Sequence, residues 1–300
     1  MNSIGLTYCI IATICWAIGP VFLRKSLDTF NNTEINAVRS IGAIAASALA
    51  CVVFNPDFLL WKYGLVAFAA VFLFVLLSNI IGDLCYFVAI DNIGVGRGLS
   101  TSNSYPIFVA LFSVIWLGEA PSLKLWIGIS IIVLGLALLN CSRKNSVLPS
   151  GKARSNTLGF LMGIMTSVLW ALSMITQKWV LTTYNIEPLS LTFWRAILLA
   201  LVTWALWYFQ KNSKERKHVF AVGYKKWLSP CLAGVFSLAI GWLAYAYALE
   251  ITPVSVASPI TASNPVIAAV IARFVFNEKL SPVQWVGILL VIIGGVEVSS

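Results

Sequence analysis

A chain of 300 residues that is 59% hydrophobic and only 10% charged is no water-soluble globule; soluble domains carry roughly 25% charged residues, and no soluble core internalises so much apolar surface. The formal net charge of +9 arises from 20 lysines and arginines against 11 acids. Most of these cations sit in short polar gaps between apolar runs, which reads as membrane topology and excludes nucleic acid as the expected partner.

Runs of about 20 mainly apolar residues are the length of a spanning helix. In chain order they predict helices over 4–23, 35–54, 64–82 (extending to about 89), 98–117 and 123–141. A second set follows over 158–178, 190–209, 230–249, 256–276 and 283–299. The first run lacks a positive n-region and a small-residue cleavage motif, so it reads as a spanning helix and not as a signal peptide. The runs are continuous and about twice too long for barrel strands. The expected fold is therefore an all-α integral membrane protein of about ten transmembrane helices. The widest polar breaks are 142–157 and 210–227. The 12 tryptophans and 17 phenylalanines suit the lipid face and the headgroup level.

The second half repeats the first. At a shift of 159, Gly82 falls on Gly241, Tyr86 on Tyr245, Ala89 on Ala248, Pro106 on Pro265, Glu119 on Glu278, Trp126 on Trp285, Gly128 on Gly287 and Gly135 on Gly294. Near the start of each half, Trp16 recurs as Trp170 and Arg39 as Arg195, at shifts of 154 and 156. The organisation is thus a five-helix repeat over 1–141, a polar linker over 142–157, and a second repeat over 158–300. Five is odd, so the two repeats cross the membrane in opposite senses. Inverted repeats are a common basis of carriers, with the substrate site at the repeat interface.

The gaps after helices 1, 3, 5, 7 and 9, with Arg39, hold 16 of the 20 cations; the other side holds Lys62, Lys124, Lys178 and Arg195. The positive-inside rule then puts both termini outside.

The six cysteines, none in a CxxC pair, read as small packing residues, and the one histidine, His218, lies in a charged loop. Zinc ligation and a His-centred triad have no material, so no metal, cofactor or catalytic residue is expected. No GxxxxGK[ST] motif occurs, so ATP is not bound in that manner.

Several residues point to transport. Asp83, with Asn79 four residues before and Tyr86 three after, lies near one helical face, which should look into the bundle or a wet cavity. It could bind a cationic group, exchange a proton, or pair structurally. Trp16 and Trp170 could stack on a flat or cationic ligand or simply pack between helices. Trp242 and Tyr245 extend that aromatic set. Pro106 and Pro265 are expected mid-helix, each freeing a backbone carbonyl. Asn103, Tyr105 and Asn264 flank them, and paired interruptions point to a binding site near the membrane centre. Arg39 and Arg195 could bind an anionic substrate group or gate the cavity, but read first as headgroup anchors or ion-pair partners. Glu119 and Glu278 read as caps or pairs near helix ends.

Each half closes on the same pattern: LGEAPSLKLWIGISIIVLGLALL over 117–139 and FNEKLSPVQWVGILLVIIGGVEV over 276–298. Each follows a helix carrying a central Asn and Pro. Over nearly its whole length the chain resembles the EamA-type transporters of the drug/metabolite transporter superfamily. The resemblance implies a ten-helix secondary carrier, multi-pass in the plasma or inner membrane. It implies a small polar metabolite as substrate, such as an amino acid for export. Uptake or exchange of another metabolite, such as a sugar phosphate or nucleotide precursor, is the alternative, with a multipass enzyme further behind. Partners would be the substrate, membrane lipid and protons as a coupling ion, in a monomer or homodimer. The resemblance also implies cytoplasmic termini, against the charge count.

Overall fold

The computed structural model describes residues 2–26, 29–54, 60–141, 155–210, 219–275 and 280–300. Glu278, His218 and most of the 142–157 linker lie outside these. Among the described residues, ten helices are long and apolar enough to cross a membrane. They are α1 (Ser3–Ser26), α2 (Asn32–Phe54), α3 (Gly64–Ile93), α4 (Val95–Leu117) and α5 (Leu123–Cys141). The second set is α6 (Asn156–Tyr184), α7 (Pro188–Gln210), α8 (Tyr224–Ile251), α9 (Val254–Val275) and α10 (Pro282–Ser299). The described residues contain no strand.

Hydropathy predicts α8 from residue 230, whereas the helix begins at Tyr224. Lys225, Lys226 and Trp227 belong to its first turns. The backbone continues its hydrogen bonding into the interfacial layer, where a hydropathy window stops but a helix need not.

The repeats interlock as an antiparallel pair. α1 packs on α8 and α3 on α6; α2 packs on α7 and α5 on α10. The α5–α10 seam rests on glycines from both halves. A Cβ on Gly135 would lie 2.7 Å from the Gly287 carbonyl oxygen, and one on Gly287 would lie 2.6 Å from that of Gly135. Gly128 and Gly294 face each other in the same way, one turn pair further along. Lipid supplies little hydrophobic force between helices, so close backbone approach and dispersion hold this seam together. These glycine contacts between the closing helices lie inside one chain.

α3 and α8 each widen into a π-helical stretch near the middle, over Leu76–Gly82 and Gly234–Ile240. α4 and α9 are each broken near the middle: Val95–Ser102 gives way to Tyr105–Phe112, and Val254–Thr261 to Asn264–Val275. Pro106 and Pro265 were expected to interrupt a running helix. Each instead stands second in a new helical segment. A first-turn N–H has no intrahelical acceptor, so proline there costs nothing. The break itself falls on the residues before the prolines and is held by serines. Ser167 Oγ lies 2.7 Å from the Thr101 carbonyl and 2.8 Å from that of Ser102, so its one proton is shared between them. Ser104 Oγ and Ser263 Oγ bond back to the carbonyls of Thr101 and Ile260.

Candidate functional site

The four irregular helices converge on one cavity of about 490 Å³ between the two repeats. Of the residues singled out from sequence, Trp16, Asn79, Asp83, Tyr86, Asn103, Tyr105, Trp170, Trp242, Asn264 and Pro265 line it. Two do not. Tyr245 is fully buried behind Trp16 and Trp242, with ring centroids 5.4 and 5.9 Å away. Pro106 is buried in its helix and absent from the wall.

The walls repeat the duplication of the sequence. The Trp16 indole N–H donates to the Ser237 carbonyl at 3.0 Å, and that of Trp170 to the Ser78 carbonyl at 3.2 Å. Each tryptophan therefore reaches from the first helix of its own repeat to the π-helical stretch of the other. A π-helical turn disturbs the regular carbonyl ladder, and such turns recur at functional sites. Gly82 and Gly241 make room for the indoles: a Cβ on either would lie under 3 Å from indole atoms of Trp170 or Trp16. The neighbours follow suit, with Tyr86 5.5 Å from Trp170 and Tyr245 5.4 Å from Trp16.

Arg195 departs from the sequence expectation, whereas Arg39 stands beside a carboxylate, one of the roles expected for it. Arg195 is 1% exposed and does not snorkel. Its guanidinium donates to the Leu238 carbonyl (3.1 Å) and to Asn79 Oδ1 (2.9 Å), and lies 4.0 Å over the Trp242 ring. Arg39 lines the cavity, its Nη2 3.9 Å from Asp83 Oδ2. Under the repeat alignment Arg39 matches Arg195, and Asp83 matches Trp242. One half gives its arginine a carboxylate; the other gives it an indole face. Sequence reading favoured peripheral roles for both arginines because each stands near a predicted helix end. Their equivalent positions in the repeat were the available signal.

The cavity is one-sided. Its lining runs from the mid-membrane residues to Leu23 of α1, Ile35 and Asn36 of α2, Phe87 of α3 and Leu99 of α4. Those helix ends share the face that carries the α1–α2 and α3–α4 connections. A narrower side cleft of about 140 Å³ continues from Asn79 and Asp83 toward Ile80 and Leu84 of α3 and Leu206 of α7. The opposite end is packed shut. Lys178 donates its ammonium to the Leu249 and Thr252 carbonyls at the end of α8. Tyr247 donates to Glu187 Oε1 at 3.2 Å and stacks on Tyr8 at 5.4 Å. Glu119 accepts from the N–H groups of Val254 (2.8 Å) and Ser255 (3.1 Å), so the carboxylate that closes α4 caps α9. Lys178→Met is expected to lower stability by about 2 kcal/mol, the scale of a charged hydrogen bond to carbonyls left without a donor. A fall in melting temperature in detergent would measure it; an unchanged value would show that the ammonium does not hold this end.

Among the described residues no group of three or more His, Cys, Asp or Glu side chains could hold a metal ion.

The model of the EamA-like transporter family matches this chain twice, over residues 3–141 and 157–299. An uncharacterized transporter of Archaeoglobus fulgidus is 24% identical over 94% of this chain and 93% of its own length. A protein of Pseudomonas fluorescens, named as a probable 4-amino-4-deoxy-L-arabinose-phosphoundecaprenol flippase subunit ArnE, is 39% identical over 35% of this chain and 94% of its own length. That alignment spans 108 residues, less than either matched repeat. A crystal structure of a protein 14% identical superposes with a TM-score of 0.78, covering 99% of this chain and 96% of that one, which speaks to the fold alone. With two whole family matches laid over two interlocked five-helix repeats, this chain belongs to the EamA-like transporter family of the drug/metabolite transporter superfamily.

Proposed function

We propose that this protein is a secondary active carrier of the cell membrane. It binds a small polar metabolite between its repeats and exports it by alternating access. The observation that carries this reading is the central cavity: it lies where both broken helices and both π-helical stretches meet, open toward one face and packed shut toward the other. Among the described residues, Arg97, Lys225, Lys226 and Arg273 stand near helix ends on the open face, and the positive-inside rule makes that face cytoplasmic. Loading from the cytoplasm is what an exporter requires. Amino acids fit the mixture of indoles, amides, one carboxylate and one guanidinium, and they lead the substrate list. In this reading Asn79, Asp83, Tyr86, Asn103 and Asn264 contact the polar groups, and the three indoles contact the apolar part. Asp83 is the lining carboxylate through which a proton gradient could couple.

Reconstituted proteoliposomes test the proposal, with metabolite pools inside and a pH gradient imposed or withheld. Flux of at least one pool is expected. Asp83→Asn is expected to keep flux down a substrate gradient while abolishing acceleration by the pH gradient. Unchanged pH dependence in that variant would remove proton coupling through Asp83; no flux of any pool would remove the carrier reading.

The side cleft favours a second reading, transfer of an amphiphile whose tail stays in lipid, as the name of the flippase-subunit relative suggests. Translocation of a fluorescent lipid-linked sugar between leaflets, with no flux of soluble pools, would replace the first reading with this one.

A further inference from the structure

The duplication copied the arginine of the second helix but not its counter-charge. Arg39 and Arg195 occupy equivalent places, and both face the core of the bundle. Asp83 has Trp242 as its repeat equivalent, so the second arginine is held by an indole face, an amide oxygen and a backbone carbonyl, all neutral. Element by element, the charged groups at the cavity are few. α2 supplies Arg39, α3 supplies Asp83, and α7 supplies Arg195 from just behind the wall; the lining residues of α1, α4, α6, α8 and α9 carry no charge. Glu34, 3% exposed on α2, is not in the lining and takes the Asn31 N–H at the head of its own helix. Among the described residues, two guanidiniums against one carboxylate leave one positive charge unmatched in a site that is mostly apolar. An unmatched charge at that depth is costly, and a ligand of opposite charge removes the cost.

Two further observations point to a missing acceptor. Asn103 lines the cavity at 6% exposure, and its buried Nδ2 has no hydrogen-bond partner. The buried Nε of Arg39 has none either. Arg39 also approaches Asp83 only to 3.9 Å, beyond hydrogen-bonding distance. The donors are in place and the acceptor is absent. Deep polar groups in native proteins are paired, so each such orphan calls for an explanation.

We infer that the substrate of this site is a small organic anion of net charge −1, whose acidic oxygens are taken by Arg39 and Asn103 while its apolar part lies on the indoles. The inference rests on the carrier reading and narrows it, because a zwitterion brings no net charge to balance the second arginine. It also gives Asp83 a defined competitive part: its carboxylate occupies Arg39 when the cavity is empty and yields when the anion binds.

Counterflow in proteoliposomes separates the outcomes. Benzoate, pyruvate and L-glutamate serve as monoanionic probes, L-leucine and L-phenylalanine as zwitterions, and L-lysine and putrescine as cations. At least one monoanion is expected to support counterflow ten-fold or more above the best zwitterion or cation. Arg39→Gln is expected to raise its KM at least ten-fold, with Arg39→Lys recovering part of the loss. Asp83→Asn is expected to lower the KM about three-fold or more, because the competing carboxylate is gone. That gain tests the inference even if Arg39→Gln fails to fold. Counterflow of zwitterions or cations with none of the monoanions would overturn the anion inference and leave the carrier intact. A monoanion KM that rises in Asp83→Asn would also overturn it. Counterflow of no probe would count against the carrier reading itself.

Discussion

Gly234→Ala is expected to destabilise the protein by about 3 kcal/mol. At the α2–α8 contact the backbones approach closely: a Cβ on Gly234 would lie 1.8 Å from the Arg39 carbonyl oxygen, and one on Gly42 2.1 Å from that of Cys231. These are backbone atoms, which cannot swing aside as a flexible side chain can. The whole of α2 must move to admit the methyl, and overpacking of this kind typically costs 1–3 kcal/mol even where neighbours can yield. The carbonyl that blocks the methyl belongs to Arg39, so the displaced backbone is the one that carries a cavity arginine. A melting temperature lowered by several degrees, together with reduced flux from the protein that remains folded, is the expected result. The control is Gly295→Ala on α10, where an added Cβ meets nothing within 4 Å. Similar melting temperatures for the two variants would mean that the α2–α8 contact tolerates separation.

Arg195→Lys is expected to cut transport at least about 100-fold, although it keeps the charge. The guanidinium joins three helices from one position on α7, reaching Asn79 of α3, the Leu238 carbonyl of α8 and the face of Trp242. Its planar fork makes these contacts simultaneously; an ammonium is a point donor and cannot reproduce the stack and both hydrogen bonds. Asn79 and Trp242 are themselves cavity residues, so the loss releases two walls of the site at once. Breaking a buried charged network by removing a partner costs roughly 3–5 kcal/mol, and a lysine substitute recovers some of that. Thermal stability should therefore fall less than transport does. Flux within three-fold of the parent protein would show that Arg195 is a helix staple with no hold on the site.

The two arginines also show where reading residues in order fails. Arg39 and Arg195 each stand seven residues into their helices, at Asn32–Phe54 and Pro188–Gln210. At 1.5 Å per residue that is roughly 10 Å from the end, close enough for a long side chain to regain the headgroups. Burial of Arg195 depends on whether Trp242, Asn79 and the Leu238 carbonyl stand opposite, and those belong to helices 43 or more residues away in the chain. Asp83 was more legible. A carboxylate inside an apolar run is costly anywhere but at a protein interior or cavity, so its neighbourhood followed from the solvent alone.

The prolines mark an intermediate case. Their equivalent places in the repeat pointed to interrupted helices, and the interruptions are there. The mechanism differs, because the break precedes each proline and is held by Ser104, Ser167 and Ser263. Which carbonyls those hydroxyls reach depends on helix packing, and spacing along the chain does not encode it.

What could be read from residue order was whatever one helix and its solvent dictate together. Ten apolar lengths, two repeats in opposite senses and a carboxylate that must avoid lipid all follow from local composition and the bilayer, as does the family resemblance carried by the closing helices. Packing settled the rest. The tryptophans exchanged between repeats, the neutral cradle of Arg195, the loose Arg39–Asp83 pair and the cavity shut at one end all join side chains far apart in sequence. Such contacts arise only when helices meet at particular angles and depths, and those are set by small residues such as Gly42, Gly135 and Gly234 that carry no chemistry of their own.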